Sequence, residues 1–358
     1  MSDGFDDAEA VKRPTLVYPF ELTPSPGTGE VVEIAPGVLW LRMPLGGSLA
    51  FINVWALQDG DEWTVVDTGM RTDATAAGWR AAFAGALGGR PVKRVICTHM
   101  HPDHVGMAGW IRRKFGAELW MTRLEYITCR LLAADTGREA PKDGLDFFRA
   151  AGWDDAALET YAARFGGFGK GLYPMPDAYR RIGDGEAIRI GDHDWRVVVG
   201  SGHSPEHACL YQPELKLMIS GDQVLPRISS NVSVFPTEPD ADPLAEWLTS
   251  LARIKTLIPD EVLVLPAHND PFHGLHGRID HLIRGHERGL SRLERTLAQA
   301  RYRRVRRPLR PPDLWRSARH GDGGEPGAPE LPERPRQGQP GDRRGRGDVV
   351  AGGLLGWA

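Results

Sequence analysis

The sequence predicts an α/β protein in which two β-sheets are faced by helices. Three observations carry that expectation. Short runs rich in Val, Ile, Leu and Trp crowd residues 31–67, stretches with helical periodicity follow, and strand-like runs return between residues 195 and 265.

Residues 1–30 are polar and broken by Pro14, Pro19, Pro24, Pro26, Gly27 and Gly29, so they read as an irregular arm with little core of its own. Strands are expected at Val31–Ile34, Val38–Arg42, Leu49–Leu57 and Trp63–Asp67, with Pro36-Gly37 and Asp59-Gly60 as turns. The Ala-rich Asp73–Leu87 predicts a helix ended by Gly88-Gly89. Val92–Thr98 reads as a buried strand, Met107–Phe115 as a short helix and Glu118–Met121 as a strand. Further strands are expected at Trp195–Val199, Ala208–Tyr211, Lys216–Ile219 and Val262–Leu265. Between the last two, Leu244, Trp247, Leu248, Leu251 and Ile254 recur at helical spacing. A final helix, Arg278–Leu297, carries Ile279, Leu282, Ile283, Leu290, Leu293 and Leu297 on one face.

Two segments depart from this pattern. Residues 122–182 hold Tyr126, Phe147, Phe148, Trp153, Tyr161, Phe165, Phe168 and Tyr173 among Gly and charged residues, and read as a helical insertion. It is either a satellite apolar cluster or a wall of a substrate pocket, with Phe165, Phe168 and Tyr173 as candidate contacts. From 301 onward, 32 of 58 residues are Arg, Pro or Gly, a composition that cannot bury a core. That tail reads as disordered, or as a GC-rich gene in a shifted frame. The domain expectation is an arm over 1–30, one domain over 31–300 and the tail over 301–358.

Composition excludes several classes. With 41% hydrophobic and 25% charged residues the chain is ordinary for a globular protein. No apolar run reaches the roughly 18 residues of a membrane span, and the acidic N-terminus lacks the apolar region of a secretory signal. Three cysteines suit a reducing cytoplasm without structural disulfides. The tail has 13 Arg, no Lys and 7 acidic residues, so the net charge of −3 conceals a balance of −9 over residues 1–300. An acidic body argues against a nucleic-acid partner.

The strongest chemical signal is Thr98-His99-Met100-His101-Pro102-Asp103-His104, directly after an apolar strand. Alternate residues of an extended stretch share a side, so His99 and His101 point into one site, while Asp103 and His104 turn toward a second. Imidazole and carboxylate together suit Zn²⁺, with Fe or Mn as alternatives. His203, Asp222 and His268 each follow a strand, in Gly202-His203-Ser204-Pro205-Glu206-His207, Ile219-Ser220-Gly221-Asp222 and Leu265-Pro266-Ala267-His268-Asn269. Asp67, after Val65-Val66, reads either as a turn residue or as the partner that holds a ligand imidazole. His207 reads as a local hydrogen-bonding residue.

His-x-His-x-Asp-His followed by a His, an Asp and a His resembles the metallo-β-lactamase superfamily over roughly residues 30–290. The resemblance implies an αββα sandwich with a two-metal site, filled by two Zn²⁺. Carried over residue by residue, His99, His101 and His203 bind the first metal, Asp103, His104 and His268 the second, and Asp222 bridges them. It also implies hydrolysis by a metal-activated water that Asp103 orients.

The Gly-His-Ser-Pro-Glu-His stretch is similar to the form common in glyoxalase II-like hydrolases, which favours a thioester of coenzyme A or glutathione as the small-molecule acyl substrate. Arg227, Arg278 or Arg284 could meet an anionic carrier. Acyl-homoserine-lactone lactonases share the ligand set but typically carry Tyr three residues after the bridging Asp, where this chain has Leu225. A β-lactamase, a ribonuclease and a non-catalytic binding protein rank lower. The apolar face of the last helix, left without a cover, further suggests a homodimer. Truncation near Ala300 is expected to leave turnover and melting temperature nearly unchanged, with proteases cutting first after the tail arginines. Loss of activity on truncation would show that the tail belongs to the fold.

Overall fold

Alternation along the strands sorts the apolar side chains onto opposite faces. In the computed structural model, which describes residues 14–20, 31–47 and 49–306, this sorting builds four layers. Strands β1 (Val31–Ala35), β2 (Val38–Pro44), β3 (Phe51–Asp59) and β4 (Glu62–Val66) form an antiparallel meander. Helix α1 (Asp73–Ala84) then leads to β5 (Val92–Ile96). The short α2 (Pro102–Val105) and α3 (Ala108–Phe115) lead to β6 (Glu118–Met121). Helices α4 (Arg123–Ala134), α5 (Lys142–Ala150) and α6 (Asp155–Arg164) and a 3-10 turn at Phe168–Gly171 precede β7 (Arg180–Arg181). From β4 to β7 the pairing is parallel, completing a seven-stranded sheet in chain order.

The second sheet contains β8 (Ala187–Ile190), β9 (His193–Gly200), β10 (His207–Gln212), β11 (Leu217–Gly221) and β12 (Leu263–Pro266). Its spatial order is β12-β11-β10-β9-β8, with only the β11–β12 pair parallel. Helix α7 (Pro243–Leu257) makes that parallel crossover, and α8 (Leu275–Arg306) follows β12.

Neighbouring residues on one strand enter different cores. Leu41, Val54 and Val65 pack with Trp79 and Phe83 of α1 and Ile111 of α3. Their neighbours Trp40, Trp55 and Val66 face the other way and meet Trp195, Val197, Leu210 and Ile219 of the second sheet. On the far side of that sheet, Val198, Cys209, Met218 and Val264 pack with Trp247 and Leu251 of α7 and Ile279 of α8. Helix, sheet, sheet, helix is the αββα sandwich expected from the resemblance.

Differences from the sequence expectations have local causes. Strand β8 lies outside the strands expected from sequence because Ala187–Ile190 is only four residues long and every second one is exposed. Residues 122–182 are helical over α4–α6, yet their end, β7, extends the first sheet. Residues 14–20 are irregular but not bare of core: Leu16 and Tyr18 pack against the third cluster and Val17 bridges to His273. Helix α8 overruns the boundary set at 300, since the Arg-rich 301–306 favours helix and the first tail proline is Pro308. The remainder of the tail, 307–358, lies outside the described residues. The chain divides into two compact units at Glu287. In the second, Leu290, Leu293 and Leu297 of α8 are exposed.

One buried carboxylate ties the two sheets together. Asp59, at the end of β3, pairs with buried Arg94 of β5 and accepts from Thr64 Oγ1 (3.0 Å) and from the backbone N–H of Gly191 (3.2 Å), between β8 and β9. Burial opposes ionisation, but the Gly191 and Arg94 bonds outweigh it and hold the pKa below 3.8. The stability Asp59 contributes is therefore complete above that value and lost as pH falls below it. Asp59→Asn should cost roughly 3 kcal/mol at pH 7 by stranding Arg94. Urea unfolding should show the gap to wild type shrinking below pH 3.8; an equal gap at both pH values would contradict this role.

Candidate metal centre

The site grows from the ends of five strands. β4 delivers Asp67, whose backbone takes the left-handed conformation (φ 58°) and whose N–H donates to Ile96 O (2.9 Å). Its carboxylate accepts from Thr98 N–H (2.8 Å), from the Thr98 hydroxyl (2.9 Å) and from His104 Nδ1 (2.8 Å). β5 leads to His99 and His101, and Pro102 starts the single-turn α2 that carries Asp103 and His104. β9 runs into the turn holding His203. There Gly202 sits at φ 97°, and a Cβ on it would lie 2.3 Å from Pro243 O, so only glycine fits.

β11 delivers Asp222 through Gly221, where a Cβ would lie 2.5 Å from His207 Nε2. That nitrogen accepts the N–H of Asp222 (3.1 Å), so His207 holds the carboxylate residue in place rather than joining the ligand cluster. β12 delivers His268. Asn53 clamps this last loop: its side-chain amide donates to Pro266 O (2.8 Å) and Asn269 O (2.6 Å), and its N–H to Ala267 O (2.7 Å). Arg42 in turn donates to Asn53 Oδ1 (3.1 Å) and pairs with Asp270.

These partners fix which imidazole nitrogens carry protons. Asn231 O, 2.8 Å from His203 Nδ1, and Phe51 O, 3.3 Å from His268 Nδ1, are carbonyls that can only accept. The Asp67 carboxylate likewise accepts a hydrogen bond from His104 Nδ1–H. Thr98 gives its own proton to Asp67, so its oxygen accepts from His99 Nδ1 (3.1 Å). In the neutral, metal-binding form of each ring, Nε2 is therefore left as a lone pair.

All four point inward. His99 Nε2 lies 3.2 Å from His203 Nε2 and 2.8 Å from His101 Nδ1. Asp222 Oδ2 is 3.5 Å from His203 Nε2, whereas its Oδ1 is 3.6 Å from His104 Nε2 and 3.5 Å from His268 Nε2. Asp103 Oδ2 is 3.4 Å from His268 Nε2. Among the described residues three groups emerge, with donor atoms within 4.8 Å of one another: His99, His101 and His203; His99, His104 and Asp222; Asp103, His104 and His268. Asp222 faces the first group with one oxygen and the third with the other.

Acceptors facing acceptors in a buried place are costly unless a cation lies among them. His104 Nε2 and Asp222 Oδ1 are buried with no hydrogen-bond partner, the condition of atoms meant for a metal. Donors about 2.0–2.1 Å from a tetrahedral ion lie about 3.4 Å from each other, the spacing seen here. The donor set fits divalent metal.

Electrostatics agree. Burial, then the neighbouring imidazoles, keep His99 well below the usual histidine range, and burial takes His101 down to about 3, so these rings are neutral as metal binding requires. Burial also opposes charge on His268, yet Asp222 and Asp103 raise it to about 10. The carboxylate side of the site therefore demands positive charge. Cys97, Cys129 and Cys209 are buried, and burial pushes each thiol up, Cys129 to about 12.

The structure thus brings His99, His101, Asp103, His104, His203, Asp222 and His268 together, with Asp67 behind His104. It does not gather the suggested substrate contacts in the same way. Phe165 packs with Phe148, Leu158 and Tyr161 in a separate small cluster, away from the ligand residues. Phe168 and Tyr173 pack partly buried against the first core, Tyr173 stacking under Arg71 and Arg113. Arg227 is exposed and lies 3.7 Å from Asp270, two residues beyond His268.

Sequence reasoning missed Asn53, Arg42 and Glu125. Glu125 is fully buried on α4, and burial raises its carboxyl to about 7 against the hydrogen bonds it accepts. None of the three sits in a metal-like spacing. The only sequence signal at Glu125 is Thr122-Arg123-Leu124-Glu125, which matches a helix-capping pattern.

Removing the Asp67 charge should loosen the metal without unfolding the sandwich. Asp67→Asn is expected to weaken Zn²⁺ retention about 10–100-fold, read from the rate of loss to a chelator. Unchanged retention would reduce Asp67 to a turn residue.

Known proteins are similar to this chain in sequence and fold. A beta-lactamase domain protein from Burkholderia ambifaria, of solved structure, is 41% identical, with a TM-score of 0.68 over 77% of this chain and 82% of that one. The acyl-coenzyme A thioesterase MBLAC2 of Gallus gallus is 25% identical across 67% of this chain and 80% of its own length. The atrochrysone carboxyl ACP thioesterase of Aspergillus fumigatus is 30% identical across 69% of this chain and 44% of its own. The sequence model of the metallo-beta-lactamase superfamily matches residues 47–268, more than half of the chain. The chain belongs to the metallo-beta-lactamase superfamily.

Proposed function

We propose that the protein is a dinuclear zinc hydrolase of acyl thioesters, with an acyl-coenzyme A as substrate. The observation that carries the hydrolase reading is the inward convergence of seven metal-binding side chains, four of them imidazoles whose Nδ1 is held by an acceptor behind the ring so that Nε2 faces the centre. Two divalent ions held by these residues would supply Lewis acidity and lower the pKa of a water toward neutrality. The chain's own groups then orient the reactants. Asp103, held ionised despite burial by His104 and His268, accepts a hydrogen bond from the attacking water. No Ser or Cys nucleophile is needed, and the buried, protonated thiols offer none.

The choice of a thioester rests on similarity to two proteins named as thioesterases, one for coenzyme A and one for an acyl carrier protein. Local chemistry is compatible with it. The segment after Asp222 is pinned to the site, since Ser230 Oγ donates to Asp222 O and Asn231 O accepts from His203. It carries exposed Ile228, Val234 and Phe235, an apolar surface for an acyl chain. Arg227, at the start of the same segment, offers a cation to an anionic carrier. Leu225 is 2% exposed and brings no hydroxyl to the site, which counts against a lactonase.

The test is a panel of acyl-coenzyme A, acyl-glutathione, lactone and cephalosporin substrates with the zinc-loaded protein. The acyl-coenzyme A should have the highest kcat/KM. A faster lactone or cephalosporin would overturn the substrate class, and no turnover on any would overturn the hydrolase.

A further inference from the structure

The three donors of the first group come from different sheets. His99 and His101 follow β5 of the seven-stranded sheet, and His203 lies between β9 and β10 of the five-stranded one. Something must hold the two loops at a fixed spacing. The backbone N–H of Met100, between His99 and His101, donates to Glu125 Oε2 (2.9 Å). The N–H of Glu206, between His203 and His207, donates to Glu125 Oε1 (2.8 Å). One buried carboxylate therefore spans both ligand loops, using one oxygen for each.

The reciprocal contacts lock its helix. Glu206 Oε2 accepts the Leu124 N–H (2.8 Å) and Glu206 O accepts the Thr122 hydroxyl (2.7 Å). The first turn of α4 is thus capped by the His203 loop itself. A Glu in the third helical position ordinarily reaches back to its own cap residue; Glu125 instead gives both oxygens to the metal loops. We propose that Glu125 is a positioning residue that ties the His99–His101 loop to the His203 loop and so sets the first metal site. The inference rests on the reading that these three histidines hold a metal.

Two acceptor oxygens are required, which makes glutamine a diagnostic replacement. Glu125→Gln keeps the shape but turns one oxygen into a donor facing a donor, so one loop is released. Zn²⁺ binding is measured by competition with a chelator on the full chain, alongside the melting temperature of the metal-stripped protein. Wild type should take up two Zn²⁺. Glu125→Gln should weaken one of them about 10–100-fold and leave the other unchanged. Glu125→Asp, which keeps both acceptors, should fall nearer wild type than the glutamine variant. In a His203→Ala background, where the first site is already disabled, Glu125→Gln should change nothing further. The inference is overturned if Glu125→Gln binds both ions as tightly as wild type, or weakens both equally. A wild-type chain that takes up no Zn²⁺ overturns the metal reading itself, and this inference with it.

Discussion

Lone pairs crowded into a buried space repel unless a proton or a metal ion lies between them, and the groups around the site keep them crowded. His99, His104, His203 and His268 each donate the Nδ1–H to an acceptor behind the ring, which leaves the Nε2 of the neutral ring bare toward the centre. The partners differ in kind: a hydroxyl, a carboxylate and two backbone carbonyls. Their common effect is to forbid the tautomer that would relieve the repulsion. A positive ion is then the arrangement's natural complement.

Holding that arrangement is a problem of two sheets. Four donors arrive from the parallel end of the first sheet and three from the second, so any sliding between layers would pull the donors apart. The stacked pair Trp40–Trp55 and the buried Trp195 between the sheets resist sliding by dense packing. At one end Asp59 binds Arg94 of one sheet and Gly191 beside the other. At the site itself Glu125 bridges the loops directly, and Asn53 restrains the loop of His268. Packing fixes the layers, and these polar ties fix the remaining tenths of an ångström.

Much of this was legible in the sequence. Strands read clearly because neighbouring residues feed different cores, so β2, β3, β10 and β12 are apolar on both faces. The His and Asp residues that cluster stand out because they lie just beyond the apolar runs of β5, β9, β11 and β12. What could not be read is contact between distant segments. Glu125 acts on residues 25 and 81 positions away, and in sequence it is one helix-forming Glu among many. Asn53 is a polar residue within a strand buried on both faces, and nothing in its spacing points to the loop it holds. The substrate-facing suggestions fared less clearly, because aromatic residues in 122–182 also serve a satellite core, as Phe165 does. The extension of α8 to Arg306 was missed because composition describes a segment's average and not where its first proline falls.

The burial of all three cysteines has a consequence for which ions the protein selects. Thiolate is the ligand that most sharply favours soft, thiophilic ions over their neighbours. Here the thiols are shut in the core and kept protonated, so the donor set is nitrogen and oxygen alone. Such a sphere ranks Zn²⁺, Fe²⁺ and Mn²⁺ by the intrinsic order of divalent ions and does little to amplify it. If the site holds such ions, the metal in the purified protein is expected to track the supply of ions during its synthesis.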